Sequence, residues 1–241
     1  MSNKYFANFP EIQYEFENGT FATIKDIFRK AKIENNNLQS LISYTVYEIQ
    51  EGDRPDVVSS RLYGDGDLYW TLFLVNDSLG QMSDWYRDTV TYEGYINNKY
   101  PGHAIVATNT TDIVDKDTRF ALGEHCTFSG GAKGRICEVD ATMKRVIVIY
   151  DDSKRASAGE TLTGDISSKS FTIASITENK DAVHHYLETS GVFSNTDNDS
   201  NTVVTNDEYE RELNENKRKI NVIEPQYIRQ VVREFESIMS I

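Results

Sequence analysis

The chain has 241 residues, 38 acidic and 25 basic, and a formal net charge of -13; an excess of this sign argues against a grip on phosphate backbones or anionic lipid, so neither nucleic acid nor membrane is an expected partner. A hydrophobic fraction of 39% with 26% charge is that of a globular chain, while a mean hydropathy of -0.53 predicts long polar loops. No stretch approaches the roughly 20 apolar residues of a membrane span, and the start MSNKYFANFP lacks the charged-then-apolar pattern of a signal peptide, so a cytoplasmic chain is expected.

Residues 1–43 form an arm dense in aromatics (Tyr5, Phe6, Phe9, Tyr14, Phe16, Phe21, Phe28) and too short to bury them alone. It must lie either on the rest of this chain or between partner subunits, since aromatics dominate interface anchors. In residues 44–100 the alternation around TVYEI predicts a strand, and Gly52-Asp53 turns the chain into a helix with Pro55 in its first turn. Val58 and Leu62 give that helix an apolar face and Gly64 ends it. Asp65 or Asp67 caps a second helix, on which Leu68, Leu72 and Val75 form a stripe beside Trp70, Phe73 and Leu74. So little polar surface remains on that helix that something must cover it.

Residues 101–180 read as short strands between Gly, Asp and Ser turns, an all-β insert. Gly123-Glu124 and Gly159-Glu160 open two similar stretches, a weak two-fold repeat that suits a small barrel or sandwich. SGGAKG lacks the GK[ST] of a phosphate loop and lies between strands, so a hairpin turn is expected. Cys126 and Cys137 have neither CxxC spacing nor a matching His pair and read as reduced packing thiols. Residues 181–204 read as a polar loop. Within it and just beyond, Asp197, Asp199, Asn201 and Glu208 match positions 1, 3, 5 and 12 of a calcium loop, but Thr202 stands where that loop needs Gly.

The last segment, 205–241, is expected to be a helical hairpin. Thr205-Asn206-Asp207-Glu208 has the form of a capping box, and after Pro225 the residues Ile228, Val231, Val232, Phe235, Ile238 and Met239 make one apolar stripe. None of His103, His125, His184 and His185 lies in a nucleophile or metal-helix motif, and the adjacent pair is expected on opposite faces of a strand. No cofactor and no enzymatic activity are expected. The fold class is α+β: a small β-α-α unit, an all-β insert and a helical C-terminal segment.

Tyr47, Ile49, Gly52, Asp53, Val58, Leu62, Tyr63, Trp70 and Asn76 resemble a LysM module, with Arg54-Pro55 departing from its usual pattern. With the DIFRKAKI arm, LYWTLFLVND and the terminal YERELNENKRKINVIEPQYIRQVVREFESIM, the order of parts resembles the LysM-containing baseplate wedge protein of T4-type contractile-tailed phages. That resemblance implies a structural virion protein assembled in the host cytoplasm, whose partners are other baseplate wedge proteins, neighbouring wedges and central hub or tail-tube proteins. Trp70, Phe73, Leu74, Ile228, Val232, Phe235 and Met239 are then the candidate partner contacts. The alternative is a LysM protein that binds N-acetylglucosamine chains of peptidoglycan through Gly52, Asp53 and Tyr63.

Overall fold

The computed structural model describes residues 4–28, 44–109, 113, 120–195, 198 and 200–239. In chain order the strands are β1 (Glu11–Glu15), β2 (Phe21–Lys25), β3 (Tyr44–Glu48), β4 (His103–Ala107), β5 (His125–Phe128), β6 (Lys133–Asp140), β7 (Arg145–Tyr150), β8 (Thr161–Gly164), β9 (Ser170–Glu178), β10 (Val183–Leu187), β11 (Phe193–Ser194), β12 (Thr202–Thr205) and β13 (Lys219–Ile223). The helices are α1 (Pro55–Tyr63), α2 (Trp70–Leu74), α3 (Thr89–Lys99), α4 (Asn206–Asn216) and α5 (Ile228–Met239). The fold is α+β, as expected, and the chain divides into a unit of Met1–Thr89 with Leu213–Ile241 and a unit of Val90–Glu212.

In the first unit, Pro55 opens α1 at its N-terminus and Gly64, at φ 75°, closes it by donating its N–H to Ser60 O. Asp65 accepts from Asp67 N at 2.8 Å and starts a 3-10 turn that leads into α2. The strand that completes this β-α-α unit comes from far along the chain: β13 pairs antiparallel with β3, Ile220 opposite Tyr47 and Val222 opposite Thr45. The expected helical hairpin over 205–241 is therefore a helix, a strand and a helix. The reason is in KINVI, whose alternation buries Ile220 and Val222 and leaves Lys219 and Asn221 exposed, a period of two and not of 3.6. Two clusters fill the unit. One gathers Ile49, Val58, Leu72, Leu79, Trp85, Tyr86, Ile220 and Val222; the other joins Phe9, Leu68, Trp70 and Ile223 to Ile228, Val231, Phe235 and Met239 of α5.

The second unit is built on a closed barrel of order β4-β7-β6-β5-β8-β9. The weak repeat in the sequence is a real dyad. Strands β5 and β8 pair about Thr127 opposite Thr163. Gly123 N donates to Ile136 O while Ile136 N donates to Glu124 O, and Gly159 N donates to Ile173 O while Ile173 N donates to Glu160 O. Each half carries a bulge at an equivalent place, after Ile136 in β6 and before Ser175 in β9. The glutamates clamp the turns of opposite halves. Glu160 accepts from Ser157 N and Gly130 N at 3.1 and 3.0 Å, and Glu124 from Ala121 N, Ile166 N and Ser167 N at 2.7, 2.8 and 2.9 Å. SGGAKG is the β5–β6 hairpin turn that Glu160 holds. Cys126 is buried in β5 and Cys137 exposed on β6; burial pushes the Cys126 thiol up to about 12.

Glu124 is 2% exposed. Burial works against its charge, yet the N–H groups of Ser167, Ile166 and Ala121 hold its carboxyl below the ordinary 4.5. Because the folded value is depressed, its contribution is present above 4.5 and is lost as pH falls towards the folded value. Glu124→Gln strands at least one of the three N–H groups and is expected to cost about 1–3 kcal/mol at pH 7. Hydrogen exchange of the barrel amides measures this: the wild type should lose protection below pH 4.5, and the variant should be weaker at pH 7 with a flatter acid response.

Residues 181–204 are not simply a loop, because β10 pairs with β11 on one edge and with β12 on the other. Val183, Tyr186, Val203 and Val204 supply the β-branched and aromatic side chains that the Asn and Asp content obscured. Helix α4 begins as expected: Glu208 accepts from Thr205 N and Thr205 Oγ1 at 2.9 and 3.1 Å, and Glu208 N donates back to Thr205 Oγ1 at 3.2 Å.

Candidate docking face

The face is assembled in the first unit from the N-terminal segment and α2. Tyr5–Asn8 forms a 3-10 turn that lays two rings on the core. Tyr5 stands 5.4 Å from Phe235, 5.8 Å from Trp70 and 5.0 Å from Phe9, and Phe9 is 2% exposed. Trp70 and Phe235 meet at 4.3 Å. Of the arm's aromatics, Tyr5 and Phe9 pack on this chain, while Phe6, Tyr14, Phe16, Phe21 and Phe28 are exposed. Residues 29–43, including most of DIFRKAKI, lie outside the described residues.

Beside this anchor lies a groove of about 360 Å³, lined by Phe6, Tyr69, Phe73, Leu74, Leu79 and Met82 among others. Phe6 and Met82 at its rim are 51% and 56% exposed, a large apolar surface to leave in water. Asp77, Gly80 and Gln81 are also exposed along it, Asp77 carrying the charge.

Next to the anchor, Lys25 Nζ donates to Ala7 O and Phe9 O at 3.4 and 3.0 Å, tying the β1–β2 ribbon to the turn. The register sorts the ribbon into two faces. Glu11, Gln13 and Glu15 lie opposite Lys25, Thr23 and Phe21, joined by a Glu11–Lys25 ion pair and a Gln13–Thr23 hydrogen bond. Ile12, Tyr14, Ala22 and Ile24 fall on the other face, where Tyr14 and Phe16 meet edge to face at 5.2 Å. A two-stranded ribbon is marginal by itself in water, and one with an aromatic face is stable when something covers that face. Glu15, on the first face, and Glu17, in the turn that follows β1, are exposed.

The structure sorts the expected contact residues into two groups. Trp70, Ile228, Phe235 and Met239 are each 6% exposed or less and belong to the unit's own core, so they are not free for a partner. The C-terminal stripe, which could meet this chain or a partner, packs on the arm and α2, whose rings supply the missing half of that core. Val232 is half-buried against the same cluster. Phe73 and Leu74 do line the groove. Sequence reasoning named Phe6 among the arm's aromatics and missed Tyr69 and Met82, apolar residues within and just after LYWTLFLVND.

Of the residues named for sugar, Gly52 is an exposed turn at φ 78°. Asp53 has its carboxylate occupied by Tyr47 Oη at 2.8 Å, Gln50 N at 3.1 Å and Arg61 at 2.9 and 3.1 Å, and its carbonyl accepts from Trp85 Nε1 at 2.8 Å. Burial opposes the charge on Asp53, but Arg61 and Tyr47 hold its carboxyl below the usual range. The Tyr63 ring packs on both core clusters and burial pushes its hydroxyl up to about 12. Asp53 and Tyr63 are thus engaged within the unit, and Gly52 is exposed beside Asp53.

Asp197 and Asp199 lie outside the described residues, Glu208 is committed to the cap of α4, and Asn201 N donates to Asn198 O. Among the described residues no group of three or more His, Cys, Asp or Glu is placed to hold a metal ion, and no helix is long and apolar enough to cross a membrane.

The family model described as base plate wedge protein 53 matches residues 4–108. No curated protein matches the chain.

Proposed function

We propose that this chain is a structural protein of a contractile phage tail baseplate wedge, joining wedge subunits and neighbouring wedges around the central hub through protein–protein contacts. The observation that carries the reading is where the family match falls: residues 4–108 include the ribbon, the anchoring turn and the groove, with Phe6, Tyr14, Phe16, Phe21 and Met82 exposed. The match supports a baseplate wedge protein, and with it a virion tail location and partners among baseplate proteins. Glu15, Glu17 and Asp77 border the exposed apolar side chains, so the complementary partner is a protein surface with an apolar centre and a basic rim.

The β3-α1-α2 unit closed by β13 serves in this reading as a LysM-like docking body and not as a sugar binder, since Asp53 and Tyr63 are used internally. Assembly takes place in the host cytoplasm, and neither a cofactor nor catalysis is involved.

The test is hydrogen exchange of the chain alone and mixed with the purified wedge proteins of the same phage. Protection confined to residues 11–25 and 69–82 supports the proposal. Protection of the Gly52–Tyr63 segment by N-acetylglucosamine oligomers, with none by wedge proteins, would favour peptidoglycan instead.

A further inference from the structure

The second unit holds an arrangement that the wedge reading does not use. The adjacent His184 and His185 were expected on opposite faces of a strand, but β10 pairs Val183 with Thr205 and His185 with Val204, so His184 is the extra residue of a bulge. The bulge turns both rings to one side and brings His184 Nδ1 to 2.8 Å from His185 Nδ1. Each ring is also held by a stack: His184 lies at 4.0 Å and 13° on Tyr209 of α4, and His185 at 4.5 Å and 18° on Phe193 of β11. His185 is 6% exposed.

Two ring nitrogens at hydrogen-bond distance share one proton: one Nδ1 donates and the other accepts. The contact survives with both rings neutral or with one of them cationic. A second added proton places N–H against N–H between two positive rings, and the contact must then open. We propose that the His184–His185 pair is a proton-operated latch, which holds the bulged strand β10 against α4 and β11 near neutral pH and releases it on acidification.

The surroundings bear on the sign. Around the pair stand Tyr209 and Glu210 from α4, Arg145 from β7 and Lys99 from α3; β11 contributes only the uncharged Phe193. Burial, the neighbouring His185, Arg145 and Lys99 hold His184 below the ordinary 6.5, with Glu210 opposing them. A depressed folded value means that the folded state binds fewer protons than the unfolded one, so stability is lost as pH falls below 6.5.

The direct test needs no variant. In the whole chain at neutral pH, the nitrogen NMR signals of the two rings should show one Nδ1–H and one Nε2–H tautomer. On titration the His184 ring should protonate below the ordinary 6.5, and His185→Gln should shift that step upward. Amides 183–187 and 202–205 should open about tenfold more often, after correction for intrinsic rates, for each unit of pH by which the folded pair resists protonation. His184→Gln, at a half-buried position, should remove that dependence. Two Nε2–H tautomers, or a His184 step that His185→Gln leaves unmoved, would overturn the proposal.

Discussion

Phe235→Ala is expected to lower the stability of the first unit by about 3–5 kcal/mol, the cost of emptying a buried aromatic site that cannot collapse. Phe235 is 4% exposed and lies between Trp70 at 4.3 Å and Tyr5 at 5.4 Å, so its loss removes the surface on which both α2 and the N-terminal turn rest. The readout is selective, because the only two tryptophans, Trp70 and Trp85, both belong to this unit. Urea unfolding followed by tryptophan emission should show the midpoint fall. Val232→Ala, at a half-buried position on the same helix, should cost about 1 kcal/mol. Equal effects at the two positions would mean that the α5 stripe is not the core described above.

Asn76→Ala is the second large effect, expected at about 2–4 kcal/mol from backbone groups stranded at roughly 1–3 kcal/mol each. Asn76 Nδ2 donates to Leu72 O at 2.7 Å and to Asn221 O at 2.8 Å, and its Oδ1 accepts from Asn221 N at 2.8 Å. One side chain, 8% exposed, thus ties the end of α2 to a strand 145 residues further on. Asn76→Asp keeps the acceptor and loses both donors, setting a carboxylate against two carbonyls. Its carboxyl must then titrate above the ordinary Asp range, so this variant should be weaker than wild type at pH 7 and regain part of the difference as pH falls and the protonated acid donates once. Tryptophan-detected unfolding at pH 7 and pH 5 measures this; equal deficits at both would show that Asn76 acts only by filling space.

Much of this was legible in the chain because local chemistry decided it. Pro55 and Gly64 bound α1, Thr205 and Glu208 cap α4, and the Gly-Glu pairs at 123–124 and 159–160 mark the barrel dyad. What was hidden depends on distant partners. The alternation in KINVI was available, but that β13 completes the unit begun by β3 follows only from pairing across the whole second unit. The α5 stripe was plain, yet whether it met this chain or another was settled by Tyr5, Phe9 and Trp70, more than 150 residues upstream. The Asp and Asn content of 181–204 masked a sheet whose pairing is carried by a few β-branched residues, and the bulge at His184 reverses the face that alternation assigns.

In the proposed function the exposed apolar face of the first unit docks wedge proteins. Sedimentation velocity of the whole chain mixed with the purified wedge proteins of the same phage tests it most directly, with Tyr14→Ser/Phe16→Ser and Phe6→Ser/Met82→Ser variants that keep the wild-type unfolding midpoint. The wild type should co-sediment with them, less so as salt rises, and both variants should fail to. Wedge binding at undiminished affinity by both variants, or no binding by the wild type at tens of micromolar, would contradict it.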